Sequence, residues 1–189
     1  MENKQLNGVK VAILATDGVE QVELLKPREA LKEAGAETKV VSPKSGKIKG
    51  WDHTDWGEQI PVDMHLSSAN PDDFDALLLP GGVMNPDHLR MDPAAVKFVK
   101  AFTEAGKPMA AICHAPWMVA EAGGVKGKRM TSWPSLKTDL KNAGANWVDE
   151  AMVRDGSLVT SRKPDDIPAF NRGMIELFAE QAGKGRKAA

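Results

Sequence analysis

Cysteine is nearly absent from this chain: Cys113 is the only one in 189 residues. A single thiol excludes an intrachain disulfide and a cysteine-rich metal site, and the expected compartment is the reducing cytoplasm. No apolar run approaches the ~20 residues needed to cross a bilayer. The opening MENKQLNG is polar and leads straight into an apolar stretch, so no signal peptide is expected. Charge of neither sign is in excess, with 25 Lys+Arg against 26 Asp+Glu and a formal net charge of -1. Phosphate binding needs clustered positive charge, so neither nucleic acid nor a membrane surface is an expected partner. There is no P-loop and no GxGxxG, and nucleotide binding has no support. Linkers, internal repeats and composition breaks are also missing.

What is present is an ordinary globular balance, 42% hydrophobic and 27% charged, in a length that suits one domain. Apolar runs alternate with helical stretches from end to end. Val9 to Ala15, Thr38 to Val41, Ala76 to Leu79, Met109 to Ile112 and Leu158 to Ser161 read as strands, several of them buried on both faces. Helices are expected over about Glu20 to Ala34, with a kink or restart at Pro27, and over Pro93 to Ala105 with Asp92 as cap. Further helices are expected after Cys113, from Ser132 to about Ala143, and from Ile167 to Gln181. The stretch from Ser42 to Met64 offers only possible short edge strands at Ile48, Trp51, Ile60 and Val62. This alternation predicts an α/β domain with a mostly parallel sheet over residues 1–182, and a flexible tail over 183–189.

The most informative segment is Lys107 to Gly124, KPMAAICHAPWMVAEAGG. An apolar strand ends, Cys113 follows at once, and a helix begins above it. Open α/β folds bind ligands at that edge of the sheet. A nearby helix N-terminus favours thiolate, and the turn aims backbone N–H groups at an oxyanion beside the sulfur. The competing reading is a small buried hydrophobe, which many free cysteines are. His114 is either a base or an ordinary surface histidine, since sequence neighbours meet only across a sharp turn. His53, His65 and His88 show no zinc-type spacing and are read as non-ligands, so no metal is expected.

Gly81 and Gly82 follow the ALLLP strand. They suit either an oxyanion hole approached closely by backbone or a plain tight turn. Glu20 closes a capping-box spacing from Asp17, or else it is a carboxyl facing the cysteine across the sheet edge, able to act as general acid or base. Glu23, one turn on, is read as a solvated or interface residue.

Taken together, DGVEQVEL, ALLLPGG, GKPMAAICHAPWMV, TSWPSLKTDLKNAGANWVD and LVTSRKPDDIPAF resemble the PfpI family of intracellular cysteine proteases and protein deglycases. That family lies within the Parkinson-associated deglycase superfamily of class I glutamine-amidotransferase-like folds. The resemblance runs in order over nearly the whole chain. It implies a flavodoxin-like three-layer α/β/α sandwich with the cysteine on a strained strand-to-helix elbow. It further implies Cys113 as nucleophile, His114 as its partner, Glu20 as the carboxyl bonded to the sulfur, and N–H groups of Gly82 and His114 as oxyanion donors. The histidine would be oriented by Asp87 of a neighbouring subunit, which requires a dimer or hexamer. Trp117 departs from the pattern as a bulky residue that walls off part of the pocket. The activity implied is cofactor-free attack of the thiolate on small reactive carbonyls or glycated proteins in a stress response. Peptide hydrolysis and a redox-sensing chaperone are the alternatives.

Overall fold

Four short apolar runs, each too short and too apolar for an amphipathic helix, become the middle of one sheet. The computed structural model describes residues 5–188, with side chains as far as residue 183. Residues 1–4, where the polar opening begins, and Ala189 lie outside the described residues. The first half contains β1 (Lys10–Leu14), β2 (Val19–Glu20), α1 (Gln21–Glu33), β3 (Glu37–Ser42), β4 (Lys47–Asp52), β5 (Asp55–Pro61), β6 (Met64–His65) and β7 (Ala76–Leu79). There follow α2 (Met84–Arg90), α3 (Pro93–Glu104), β8 (Met109–Ile112), α4 (Pro116–Glu121), β9 (Arg129–Met130) and α5 (Lys137–Asn142). The chain continues with β10 (Asn146–Trp147), β11 (Met152–Asp155), β12 (Leu158–Ser161) and α6 (Ile167–Ala188).

The main sheet has seven strands in the order β11-β12-β8-β7-β1-β3-β6. All its pairings are parallel except β11 with β12. Strands β7, β8 and β12 are buried at every position, as a sheet covered on both faces requires. Two apolar layers supply that cover. Phe98, Phe102, Met118 and Leu140 of α3, α4 and α5 pack on one face. Leu24, Leu31, Phe170, Met174 and Phe178 of α1 and α6 pack on the other. The three-layer α/β/α sandwich expected from the sequence is what forms. The chain runs from β1 to β3 on one side, then returns to place β7 on the other side of β1. That reversal leaves a crevice beyond the carboxyl ends of β1 and β7, where doubly wound sheets bind ligands.

Several local expectations needed correction. Pro27 neither breaks nor restarts α1, which is one helix with the proline inside and buried. Its ring lies in the face that packs on the sheet, and burial there outweighs the one missing backbone bond, to the Glu23 carbonyl. The uncertain stretch after Ser42 is a hairpin, β4 with β5, joined to β2 in a separate three-stranded sheet. The turn at its tip puts His53 at φ 55. Residues 84–90 form a helix that the sequence reading left unassigned. Finally, α6 continues to Ala188, past the end at Gln181 expected from the sequence. Among the described residues no helix is long and apolar enough to cross a membrane.

Candidate active site

The strand-to-helix turn after β8 is strained at the residue that matters. Cys113 has φ 65, a left-handed conformation that costs an L-residue energy and that usually falls to glycine. Backbone bonds on both sides hold it there. The Cys113 N–H donates to the Ser161 carbonyl (3.0 Å), and the Cys113 carbonyl accepts from Trp133 N–H (2.9 Å). The sharp turn folds the next side chain back, so that His114 Nδ1 lies 3.1 Å from Cys113 Sγ. Adjacent residues thus form a pair because of the elbow and not in spite of adjacency.

The carboxyl beside the sulfur is Glu23, and this corrects the expectation for Glu20. Glu23 is wholly buried. Its Oε2 accepts from Gly81 N–H at 3.0 Å, and the carboxyl is within hydrogen-bonding reach of the Cys113 thiol. Oε1 has no N–H donor of its own. Glu20 ends β2 instead, and its Oε1 accepts from His53 N–H at 3.2 Å. The reason is register: α1 begins at Gln21, so Glu23 falls on the helix face that meets the sheet, while Glu20 precedes that face and turns to the hairpin. The helical period pointed to Glu23, since it lies immediately before Leu24 in the buried stripe, but a carboxylate there looks misplaced until its partners are seen.

Gly81 is required by space. A Cβ there would lie 2.5 Å from Glu23 Oε2 and 2.7 Å from Cys113 Cβ. Gly82 turns with φ 82, and the N–H groups of Gly82 and His114 both point at the sulfur. Asn85, which the sequence reading passed over, ties this turn to the end of β1. It is buried, accepts from Thr16 N–H (2.8 Å), and donates to the Pro80 and Gly81 carbonyls (2.9 and 3.2 Å). An asparagine three residues after Pro-Gly-Gly, a type that readily ties turns together through its amide, was the available signal.

Trp117 does not wall the pocket, contrary to expectation. Its Nε1 donates to Asp139 (3.0 Å), and its ring meets His114 edge-on at 5.2 Å from outside. The wall is Trp133, stacked on His114 with centroids 5.9 Å apart and planes 21° from parallel. Asp87 lies exposed on α2, and among the described residues it has no hydrogen-bond or ion-pair partner. At the rim, Glu20, Asp52 and His53 bring ligand-type atoms within 4.8 Å of one another. The His53 contacts there are 3.9 Å, and the histidine is mostly exposed.

Burial governs the titration of the centre. It pushes Glu23 up to about 8, against a lowering by the Cys113, Gly81 and Gly82 hydrogen bonds. It raises the Cys113 thiol too, and the adjacent Glu23 charge adds to that rise, while the Gly82 and His114 N–H groups oppose it. Burial therefore opposes the thiolate expected from a helix N-terminus. Desolvation outweighs the dipole here, because α4 starts only at Pro116. His114 is pulled down to about 4 by burial and is neutral at pH 7. Cys113 and Glu23 cannot both carry charge at this distance, so they titrate as a coupled unit in which burial raises both groups.

These residues floor a cavity of about 380 Å³ that also touches Glu20, Trp51, His53, Val83, Met84, Trp133 and Pro164. The DJ-1/PfpI family pattern matches residues 9–177. The chain belongs to the DJ-1/PfpI family. A deglycase of Pyrococcus abyssi is 43% identical over 170 residues, 90% of this chain and 99% of that one. General stress protein 18 of Bacillus subtilis is 44% identical over 173 residues, 90% of this chain and 98% of that one. Among solved structures, Drosophila melanogaster DJ-1beta superposes with a TM-score of 0.82 at 29% identity, covering 95% of this chain and 96% of its own. The family assignment and the three-layer fold are thus common to sequence, structure and relatives.

Proposed function

We propose that this protein is a cysteine-dependent enzyme that detoxifies reactive carbonyls, converting 2-oxoaldehydes to 2-hydroxyacids without glutathione and acting on early glycation adducts by the same attack. The observation that carries the reading is the pairing of a wholly buried carboxyl, Glu23, with an elbow thiol at the floor of a small cavity. The names of relatives, a deglycase and a general stress protein, point the same way.

The chemistry follows from the positions. Sγ attacks the aldehyde carbon, forming a C–S bond. The thiol proton passes through the neutral His114 Nδ1, 3.1 Å away, to the aldehyde oxygen. While charge develops on that oxygen, the N–H groups of Gly82 and His114 stabilise it. Ionised Glu23 then removes the hydrogen from the former aldehyde carbon and returns it to the neighbouring carbonyl carbon. The first carbon is oxidised and the second reduced, so no external electron carrier takes part. Water hydrolyses the resulting thioester, releasing the hydroxyacid and restoring the thiol.

The Cys113–His114 pair is also what peptide hydrolysis would need, which keeps a cysteine peptidase as the second reading. Among the described residues, however, no carboxylate is hydrogen-bonded to His114, whose ring nitrogen meets Cys113 Sγ. The deciding experiment is methylglyoxal consumption without glutathione by wild type, Cys113→Ala and Glu23→Gln. We expect turnover by the wild type and a loss of at least about 10²-fold in each variant. An inactive, folded and reduced wild type would overturn the carbonyl reading.

A further inference from the structure

The same cavity carries information about which carbonyl it accepts. We infer that the preferred substrates are neutral 2-oxoaldehydes bearing a flat apolar substituent, of the arylglyoxal type, seated between Trp133 and Trp51; this rests on the carbonyl reading above. Beyond the reacting groups at its floor, the cavity is walled by Trp51, Val83, Met84, Trp133 and Pro164. At about 380 Å³ it falls within the range of small-molecule sites, about 300–1,000 Å³, and leaves a three-carbon aldehyde most of the space unfilled.

Both indoles are set before a ligand arrives. Trp133 is stacked on His114, and its remaining surface is open, at 37% exposure. Trp51 Nε1 donates to the His53 carbonyl (2.9 Å), and its ring meets Trp56 edge-on at 5.3 Å. Rigid aromatic walls bind a flat ring without a cost for ordering them. Val83, 57% exposed, adds an apolar edge.

Charge excludes the competing class. No lysine or arginine lines the cavity, and the ionisable groups there besides Cys113 are Glu20, Glu23, His53 and His114. A phosphorylated sugar aldehyde or a glycated nucleotide would bring its anion to a site with no lysine or arginine to receive it. The hydroxyacid product is anionic, and the lack of a lining cation favours its departure.

The test compares phenylglyoxal with methylglyoxal in wild type, Trp133→Ala, Trp133→Phe and Trp51→Ala. Formation of mandelate or lactate is measured, and Cys113→Ala serves as the blank for non-enzymatic loss. We expect kcat/KM for phenylglyoxal to exceed that for methylglyoxal at least about tenfold, carried mainly by KM. The ratio should fall toward unity in Trp133→Ala and in Trp51→Ala, and recover in Trp133→Phe. A fall in methylglyoxal turnover alone would report damage to His114, so the ratio is the deciding quantity. If methylglyoxal is consumed but phenylglyoxal no better, the substrate inference fails and the carbonyl activity stands. A high ratio that survives both alanine substitutions overturns the role given to the indoles. Consumption of neither aldehyde overturns the carbonyl reading itself, and this inference with it.

Discussion

Glu23 is a carboxyl that folding holds protonated, and two measurable consequences follow. For catalysis it must be ionised to take a hydrogen from carbon, and its pKa is about 8. We therefore expect kcat/KM for a 2-oxoaldehyde to rise about tenfold per pH unit below 8 and level off above it. Glu23→Gln should abolish that limb along with the activity. For stability, the folded chain retains a proton that the unfolded chain loses above the ordinary 4.5, so stability falls as pH rises from 4.5 to about 8. His114 acts in the opposite sense. Neutral in the fold down to about 4 and charged below 6.5 when unfolded, it makes stability rise with pH between those values. The two contributions oppose each other up to pH 6.5, which leaves a net fall between 6.5 and 8. Thermal denaturation at those two pH values should show a lower midpoint at pH 8 for the wild type and a smaller difference for Glu23→Gln. An equal difference in both proteins would show that Glu23 is not the group responsible.

Two turns meet at the site, and Asn85 is what sets one against the other. Through its side-chain amide, the loop after β1 and the Pro80-Gly81 turn are held at 2.8 to 3.2 Å. Asn85→Ala leaves the Thr16 N–H and the Pro80 carbonyl without their buried partner, which costs about 1–3 kcal/mol for each group left unsatisfied, while the Gly81 carbonyl keeps the Glu20 N–H. It also frees Gly81, whose N–H holds Glu23. The expected outcome is a lower denaturation midpoint together with a drop in kcat larger than the change in KM, because the error lies in placing Glu23 and not in the cavity walls. Unchanged kcat in a destabilised variant would make Asn85 purely structural. Strand and turn assignment was legible at this scale: the VKVAILA, ALLL and MAAI runs are the strands they read as. The hairpin of β4 and β5 was not, because its residues alternate irregularly and one face is largely exposed. The helix of residues 84–90 was hidden by Pro86 and by a short span with no clear period.

At the scale of the whole molecule, the reversal between β1 and β7 brings to one crevice the start of α1, the turn after β7, the elbow after β8 and the loop at Trp133, and the β4–β5 hairpin and the loop after β12 complete its lining with Trp51, His53 and Pro164. The chain completes a thiol, a carboxyl and an oxyanion site by itself, but among the described residues no carboxylate orients His114. Asp87 stands exposed and unpartnered on α2, as a residue offered to another subunit would. We expect self-association, with Asp87 supplying that carboxylate to a neighbour. In size-exclusion chromatography with light scattering, the wild type should be a dimer or larger. Asp87→Asn should retain that mass while losing activity several-fold. A fully active monomer would refute the arrangement.

The sequence by itself determined the α/β class, the family, and the placing of Cys113 on an elbow, because each depends on short-range pattern: apolar runs, glycine stops and a strand ending on cysteine. It also named His114, Gly81 and Gly82. What it left to tertiary structure was which carboxyl faces the sulfur and which tryptophan walls the pocket. Glu20 and Glu23 are three residues apart, and Trp117 and Trp133 both follow the elbow, so local pattern treats each pair alike. Only the register of α1 against the sheet buries Glu23 and sends Glu20 to the hairpin, and only the packing of the loop after β9 lays Trp133 on His114. The titration behaviour was decided in the same way, since desolvation is a property of the assembled crevice and not of any segment.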